Sequence, residues 1–91
     1  MRVTFSPAKR EWTLKERGLD FVEAAEVFSD LHTILEDERF DYGEVRYVSA
    51  GYLRGRMVII VWTPRDEARH VISMRYCHEK EEERWRIHLG D

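Results

Sequence analysis

The side chains best suited to chemistry in this chain are arginines and histidines. Arg46, Arg65 and Arg75 stand on or beside segments that read as β-strands. A guanidinium stays charged, and its planar fork matches the oxygens of a phosphate or carboxylate. His70 and His78 titrate near neutral pH, so each can take or give a proton. Glu44, two residues before Arg46, can serve as a base or hold that arginine in place. Lys9 and Lys80 fall on predicted helices, where an ammonium can meet an anion. The chemistry on offer is therefore anion binding combined with proton transfer. A plainer role competes for each residue: the arginines have 18 acidic residues to pair with, and exposed pairs of that kind are common and weak. A single strand histidine specifies little by itself. Strand aromatics such as Tyr47, Tyr52, Trp62 and Tyr76 can stack on bases, but such residues also build cores.

Other chemistries find no support. His32, His70, His78 and His88 have no metal-ligand spacing, there is no His-Glu-x-x-His, and the single cysteine, Cys77, has no partner for a cysteine-based site. No metal or other cofactor is expected. Gly51 and Gly55 do not form a phosphate-cradling loop.

The elements that must position these residues follow from periodicity and punctuation. Residues 1–5 alternate as a short strand. Ser6 and Pro7 suit the cap and first position of a helix over 7–17, and Gly18 suits its C-terminal end. Asp20 and Glu23 suit a capping box, followed by Phe21, Ala24, Ala25 and Phe28 at helical spacing on one face. Ser29 and Asp30 end this second helix. Residues 32–36 read as a short strand, and Asp41-Tyr42-Gly43 as a turn. Residues 44–50 alternate, and residues 57–63 are nearly continuously apolar, as a central strand should be. After a turn at 64–67, residues 68–76 pair back, with Val71, Ser73 and Arg75 on one face and His70, Ile72 and Met74 on the other. Residues 78–86 form a charged terminal helix in which Glu81 and Trp85 are neighbours. Short loops imply antiparallel neighbours. The fold expected is α+β: two N-terminal helices packed on an antiparallel sheet of about four strands, with a C-terminal helix, in one domain over residues 1–91.

The 91 residues carry a net charge of −3, with 43% hydrophobic and 36% charged residues. This is a globular composition. An acidic total argues against coating nucleic acid through bulk charge, although a local basic site remains compatible with it. One cysteine fits a reducing cytoplasm. The longest apolar run, Met57 to Trp62, is far short of the ~20 residues of a membrane helix, and no signal-peptide pattern opens the chain. A cytoplasmic location without membrane contact is expected.

Several motifs, in order, resemble the BrnT toxins, a branch of the RelE-like ribonuclease fold. They are Phe5-Ser6-Pro7-Ala8-Lys9, the segment from Gly18-Leu19-Asp20-Phe21 through Val27-Phe28-Ser29-Asp30, and Gly43-Glu44-Val45-Arg46. Gly55-Arg56, an apolar strand with Thr63-Pro64-Arg65, Val71-Ile72-Ser73-Met74-Arg75, and Lys80-Glu81 with Trp85 complete the series. The segment from Gly18 to Asp30 is the most specific match. The resemblance spans about Phe5 to Trp85. It implies a RelE-like toxin that cuts RNA and stops translation. It also implies neutralisation by a BrnA-like antitoxin of ribbon-helix-helix type, through which alone the complex would meet operator DNA.

Metal-free RNA cleavage needs a base for the 2′-hydroxyl, positive charge at the phosphorus and a proton for the leaving oxygen. On this resemblance Arg46, Arg65, His70, Arg75 and Glu44 are the expected catalytic residues, and Lys9, His78 and Lys80 the expected RNA contacts. The chain departs from the family pattern in places. Glu16-Arg17 stands where Lys-His is usual, His70 where arginine is frequent, Ser6 where aspartate is usual, and Glu79, Glu81, Glu82 and Glu83 make a usually basic helix acidic. These changes remove positive charge where RNA would lie. They motivate a second reading, a catalytically weak binding module that acts through its protein partner. A third is a structural protein pairing through its sheet edge.

Overall fold

Ser6 separates the first strand from the first helix as its sequence implies. In a computed structural model that describes residues 1–90, strand β1 covers Val3–Phe5 and helix α1 covers Pro7–Arg17. The Ser6 side chain accepts from the Lys9 amide, and Gly18 closes α1 in the left-handed conformation at φ 69°, which costs glycine nothing. The second helical segment is shorter than expected. Phe21–Glu23 is a 3-10 turn and only Ala24–Phe28, α2, is α-helical. A capping box holds this start: the Asp20 carboxylate accepts from the Val22 amide at 3.1 Å and the Glu23 carboxylate from the Asp20 amide at 3.3 Å, while the Glu23 amide donates to the Asp20 carbonyl at 2.9 Å. That i→i+3 pattern defines the 3-10 geometry. The N-terminal part therefore has one full helix, α1, and the short α2 rather than two full helices.

The remaining elements are β2 (Leu35–Glu36), β3 (Tyr47–Leu53), β4 (Arg56–Arg65), β5 (Ala68–Tyr76) and α3 (Glu79–Leu89). The sheet has five strands in the order β1-β5-β4-β3-β2 and is mixed. This corrects the expected antiparallel sheet of about four strands. β3, β4 and β5 are consecutive hairpins and run antiparallel. β1 joins β5 in parallel, Thr4 beside His70, because the chain passes through α1, α2 and three strands before it returns to that edge. Loop length constrained the hairpins but said nothing about a strand so distant in sequence. The β3–β4 turn places Arg54 and Gly55 at φ 48° and 81°, the primed geometry that a two-residue hairpin favours.

Two clusters sandwich the sheet. On the first face, Leu19, Phe21, Ala24, Val27 and Phe28 pack on Leu53, Val58, Ile60, Trp62, Val71 and Met74. The helical spacing of Phe21, Ala24 and Phe28 thus builds core, as core packing of these aromatics requires. On the second face, Trp85 and Leu89 of α3 pack with Ala50, Met57 and Ile59. Helix α3 covers one end of that face, and Val61, Ile72 and Ser73 beyond it are only half-buried.

Candidate functional site: a charged cluster beside a cleft on one sheet face

A register shift in β5 decides which side chains share a face. Val61 pairs with Ser73 but Trp62 pairs with Val71, so Ile72 is an extra residue against β4. Such a bulge resets the alternation of side chains. Val71 and Met74 therefore both enter the first core, while His70, Ser73 and Arg75 lie on the second face, opposite Thr63, Val61 and Ile59. Strict alternation had set His70 apart from Ser73 and Arg75. The bulge brings His70 to their side.

Around His70 the structure assembles several of the expected residues. His70 Nδ1 lies 2.9 Å from Thr4 Oγ1 on the parallel neighbour β1. Arg65 ends β4, and the segment before β3 lies alongside because Thr63 Oγ1 donates to the Val45 carbonyl at 2.7 Å and the Asp37 amide to the Arg46 carbonyl at 2.8 Å. Residues 44–46 were expected inside a strand. They precede it, because Arg46 and Val45 bond outside the β3–β4 ladder. Within this segment Glu44 takes a hydrogen bond from Arg46 Nε at 3.0 Å and lies 3.8 Å from Arg65 Nη2. The Arg46 guanidinium also stacks on Tyr42, 4.0 Å from the ring centre. Partial burial pushes the His70 imidazole below its usual pKa, and the positive charges of Arg65 and Lys9 push in the same direction while Glu44 opposes them. These influences favour the neutral imidazole, the form able to accept a proton. Among the described residues its Nε2 carries no hydrogen bond.

Arg75 stands apart. It pairs with Ile59, four residues along β4 from Thr63, the partner of His70; at strand rise that is about 13 Å. Both of its terminal nitrogens are engaged by Glu81 of α3, at 2.8 and 2.7 Å. The arginine holds the Glu81 carboxyl down at about 2. Beside it, burial and then Glu81 push the Cys77 thiol up to about 12, so it is inert as a thiolate nucleophile. Arg75, Glu81 and Trp85 form one wall of a cleft of about 420 Å³ whose floor is Val48, Ile59, Val61 and Ser73 and whose other wall is residues 35–39.

Lys9 is exposed on α1 yet close enough to His70 to act on its charge. His78 and Lys80 are exposed at the start of α3, on the Glu81 side of the face. The structure thus brings Lys9, Glu44, Arg46, Arg65 and His70 together and leaves Arg75, His78 and Lys80 at the far end. Sequence reasoning missed Thr4 as the histidine's partner, because only the parallel β1–β5 pairing makes them neighbours. It also missed the far wall, where the Asp37 side chain, only 2% exposed, accepts from Arg39 Nε and Nη2 at 2.9 Å and from the Tyr42 hydroxyl at 3.1 Å. The Asp-x-Arg spacing was the available signal. Among the described residues no group of three or more histidine, cysteine or acidic side chains is placed to hold a metal ion, and no helix is long and apolar enough to cross a membrane.

In comparison with known proteins, no curated protein matches the chain. A family model does: that of the BrnT ribonuclease toxin of type II toxin–antitoxin systems, over residues 5–81. The match takes in Phe5 at the end of β1, the Glu44–Arg46 segment, the bulged β5 with His70 and the first turn of α3 as far as Glu81, while Thr4 lies just before it. The chain is therefore a member of the BrnT family, the ribonuclease toxins of type II toxin–antitoxin systems, whose toxins are each held in check by a protein antitoxin.

Proposed function

We propose that this toxin cleaves RNA without a metal ion at the His70 end of the second sheet face. His70 Nε2 takes the proton of a 2′-hydroxyl, the 2′-oxygen bonds to the adjacent phosphorus, and the bond to the 5′-oxygen breaks, leaving a 2′,3′-cyclic phosphate. The departing oxygen takes a proton from solvent. Arg46 and Arg65 neutralise the charge that grows on the phosphoryl oxygens, Glu44 aligns the two guanidinium groups, and Lys9 contacts a flanking phosphate. One observation carries the reading: a neutral imidazole, fixed through Nδ1 by Thr4, faces the same side as two arginines that share one carboxylate. Arg75, His78 and Lys80 extend the RNA path towards α3, with Arg75 first serving to anchor that helix through Glu81.

RNA cleavage of this kind stops translation in the cytoplasm. The partner is an antitoxin of ribbon-helix-helix type, BrnA-like, and operator DNA is met only through it. The test is incubation of partner-free protein with RNA in excess chelator. Cleavage by the wild type and its loss in folded His70→Gln support the proposal. Undiminished cleavage by that variant refutes the assignment of His70, and dependence on added metal refutes the mechanism.

A second reading rests on a specific observation. Arg46, Arg65 and Arg75 all lie within ion-pair distance of carboxylates, so each must give up a partner before it binds a phosphate. A weakly catalytic binding module fits that arrangement. Tight antitoxin binding by a chain that neither cuts RNA nor slows growth decides for it.

A further inference from the structure

Arg69, next to His70 in sequence, points to the other face of the sheet and is held there with unusual economy. Its guanidinium carbon lies 4.2 Å from the Trp62 ring centre and 4.6 Å from that of Phe28. One terminal nitrogen donates to His32 Nε2 at 3.1 Å. His32 can accept because its Nδ1–H is spent on the Asp30 carbonyl at 2.7 Å, which fixes the neutral tautomer. Four arginines of the described residues are half-buried: Arg10, Arg46, Arg69 and Arg75. The other three each hold a carboxylate within 3.0 Å, whereas Arg69 has none among the described residues. Its charge has lost part of its water and gained no counter-ion, a costly state unless an anion completes it. The aromatic setting extends outward, since the half-buried Tyr47 stacks on the same Trp62 at 4.9 Å.

We infer that Arg69 is a second oxyanion site of the toxin, which takes a backbone phosphate of single-stranded RNA, with the half-buried Tyr47, outside the buried Trp62 and Phe28, as the ring on which the neighbouring base stacks. A charged fork next to an aromatic platform is the pairing that a nucleotide unit needs. The site lies at the same end of the sheet as His70, on the opposite face, so a strand that occupies both passes around the β4–β5 turn. This inference rests on the reading of the chain as an RNA-cleaving toxin. It concerns where RNA is held, not how it is cut.

The test uses a short fluorescein-labelled 2′-O-methyl RNA, which binds without being cleaved. Arg69→Met keeps a stem packed on Trp62 and Phe28 and removes the charge. Affinity is expected to fall about tenfold, and the slope of log affinity against log salt to shrink by about 0.7, the share of one phosphate contact on a single strand. Equal affinity and slope in the variant overturn the inference and leave the cleavage reading intact. Absence of binding by the wild type overturns both. Unchanged RNA binding with weakened antitoxin binding assigns the site to a partner's carboxylate instead. Should the variant fold poorly, nitrogen-15 spectra of the wild type decide. The Arg69 Nε–H and Trp62 Nε1–H signals must move as the oligonucleotide is added, and their constancy refutes the site.

Discussion

Replacing Glu81 with glutamine removes the charge that clamps α3 to the sheet while keeping the shape of the side chain. In the wild type this carboxylate accepts two hydrogen bonds from Arg75, at 2.8 and 2.7 Å, and one from the His78 amide at 3.3 Å. Its side chain is 20% exposed and its pKa is lowered from 4.5 to about 2. A shift of that size corresponds to at most about 3 kcal/mol. Arg75 is 37% exposed, so solvent screening reduces the expected loss to about 1–2 kcal/mol. The sign follows from linkage. A carboxyl whose folded pKa is depressed stabilises the fold fully above its unfolded pKa, and that stability is lost as pH falls through 4.5 towards about 2. Urea unfolding of the wild type and Glu81→Gln should therefore differ by about 1–2 kcal/mol at pH 7, and by less than half as much at pH 3. Equal stabilities at pH 7, or a gap that does not change with pH, would refute the reasoning. The same variant frees the Arg75 fork, and its affinity for uncleavable RNA is expected to rise. A fall in affinity would exclude Arg75 from the RNA path.

Other consequences are open to measurement. Cleavage should rise with pH through a value below 6.5 and level off by neutral pH, because burial and Arg65 lower the His70 pKa. Glu44→Gln should shift that rise to still lower pH, since the Glu44 charge opposes the lowering; a pH–rate profile of kcat/KM reads both effects. Gly51→Ala should destabilise by about 1–3 kcal/mol, because a Cβ there would lie 2.7 Å from Val27 Cγ1 and 3.1 Å from His32 Cβ. An unchanged melting temperature would count against it. Trp62→Phe should cost about 1–3 kcal/mol in chemical denaturation, since it strips the Ser49 hydroxyl, buried at 0% exposure, of the indole N–H that bonds it at 2.9 Å.

The local signals were legible because they act over a few residues. Ser6, Pro7 and Gly18 set the limits of α1, Asp20 and Glu23 form the capping box, and the apolar run at 57–63 is the central strand. The family motifs were equally readable, since they are local strings. The chemistry of single side chains also followed from residue type: Arg46 beside Glu44 forms the pair that its spacing allows.

What only the tertiary structure decided are relations between distant segments. Alternation within β5 cannot reveal the bulge at Ile72, because the extra residue is defined against β4 and not by β5 itself. Yet that bulge puts His70 on the face of Ser73 and Arg75. The parallel β1–β5 pairing, which gives His70 its Thr4 partner, joins residues 66 positions apart and leaves no local trace. The same holds for Arg75, whose fork Glu81 occupies, and for Arg69, whose neighbours Phe28, His32 and Trp62 come from three separate segments. Sequence named the residues able to bind phosphate and move a proton. Packing determined which of them meet, which are already paired, and which half-buried charge lacks an anion among the described residues.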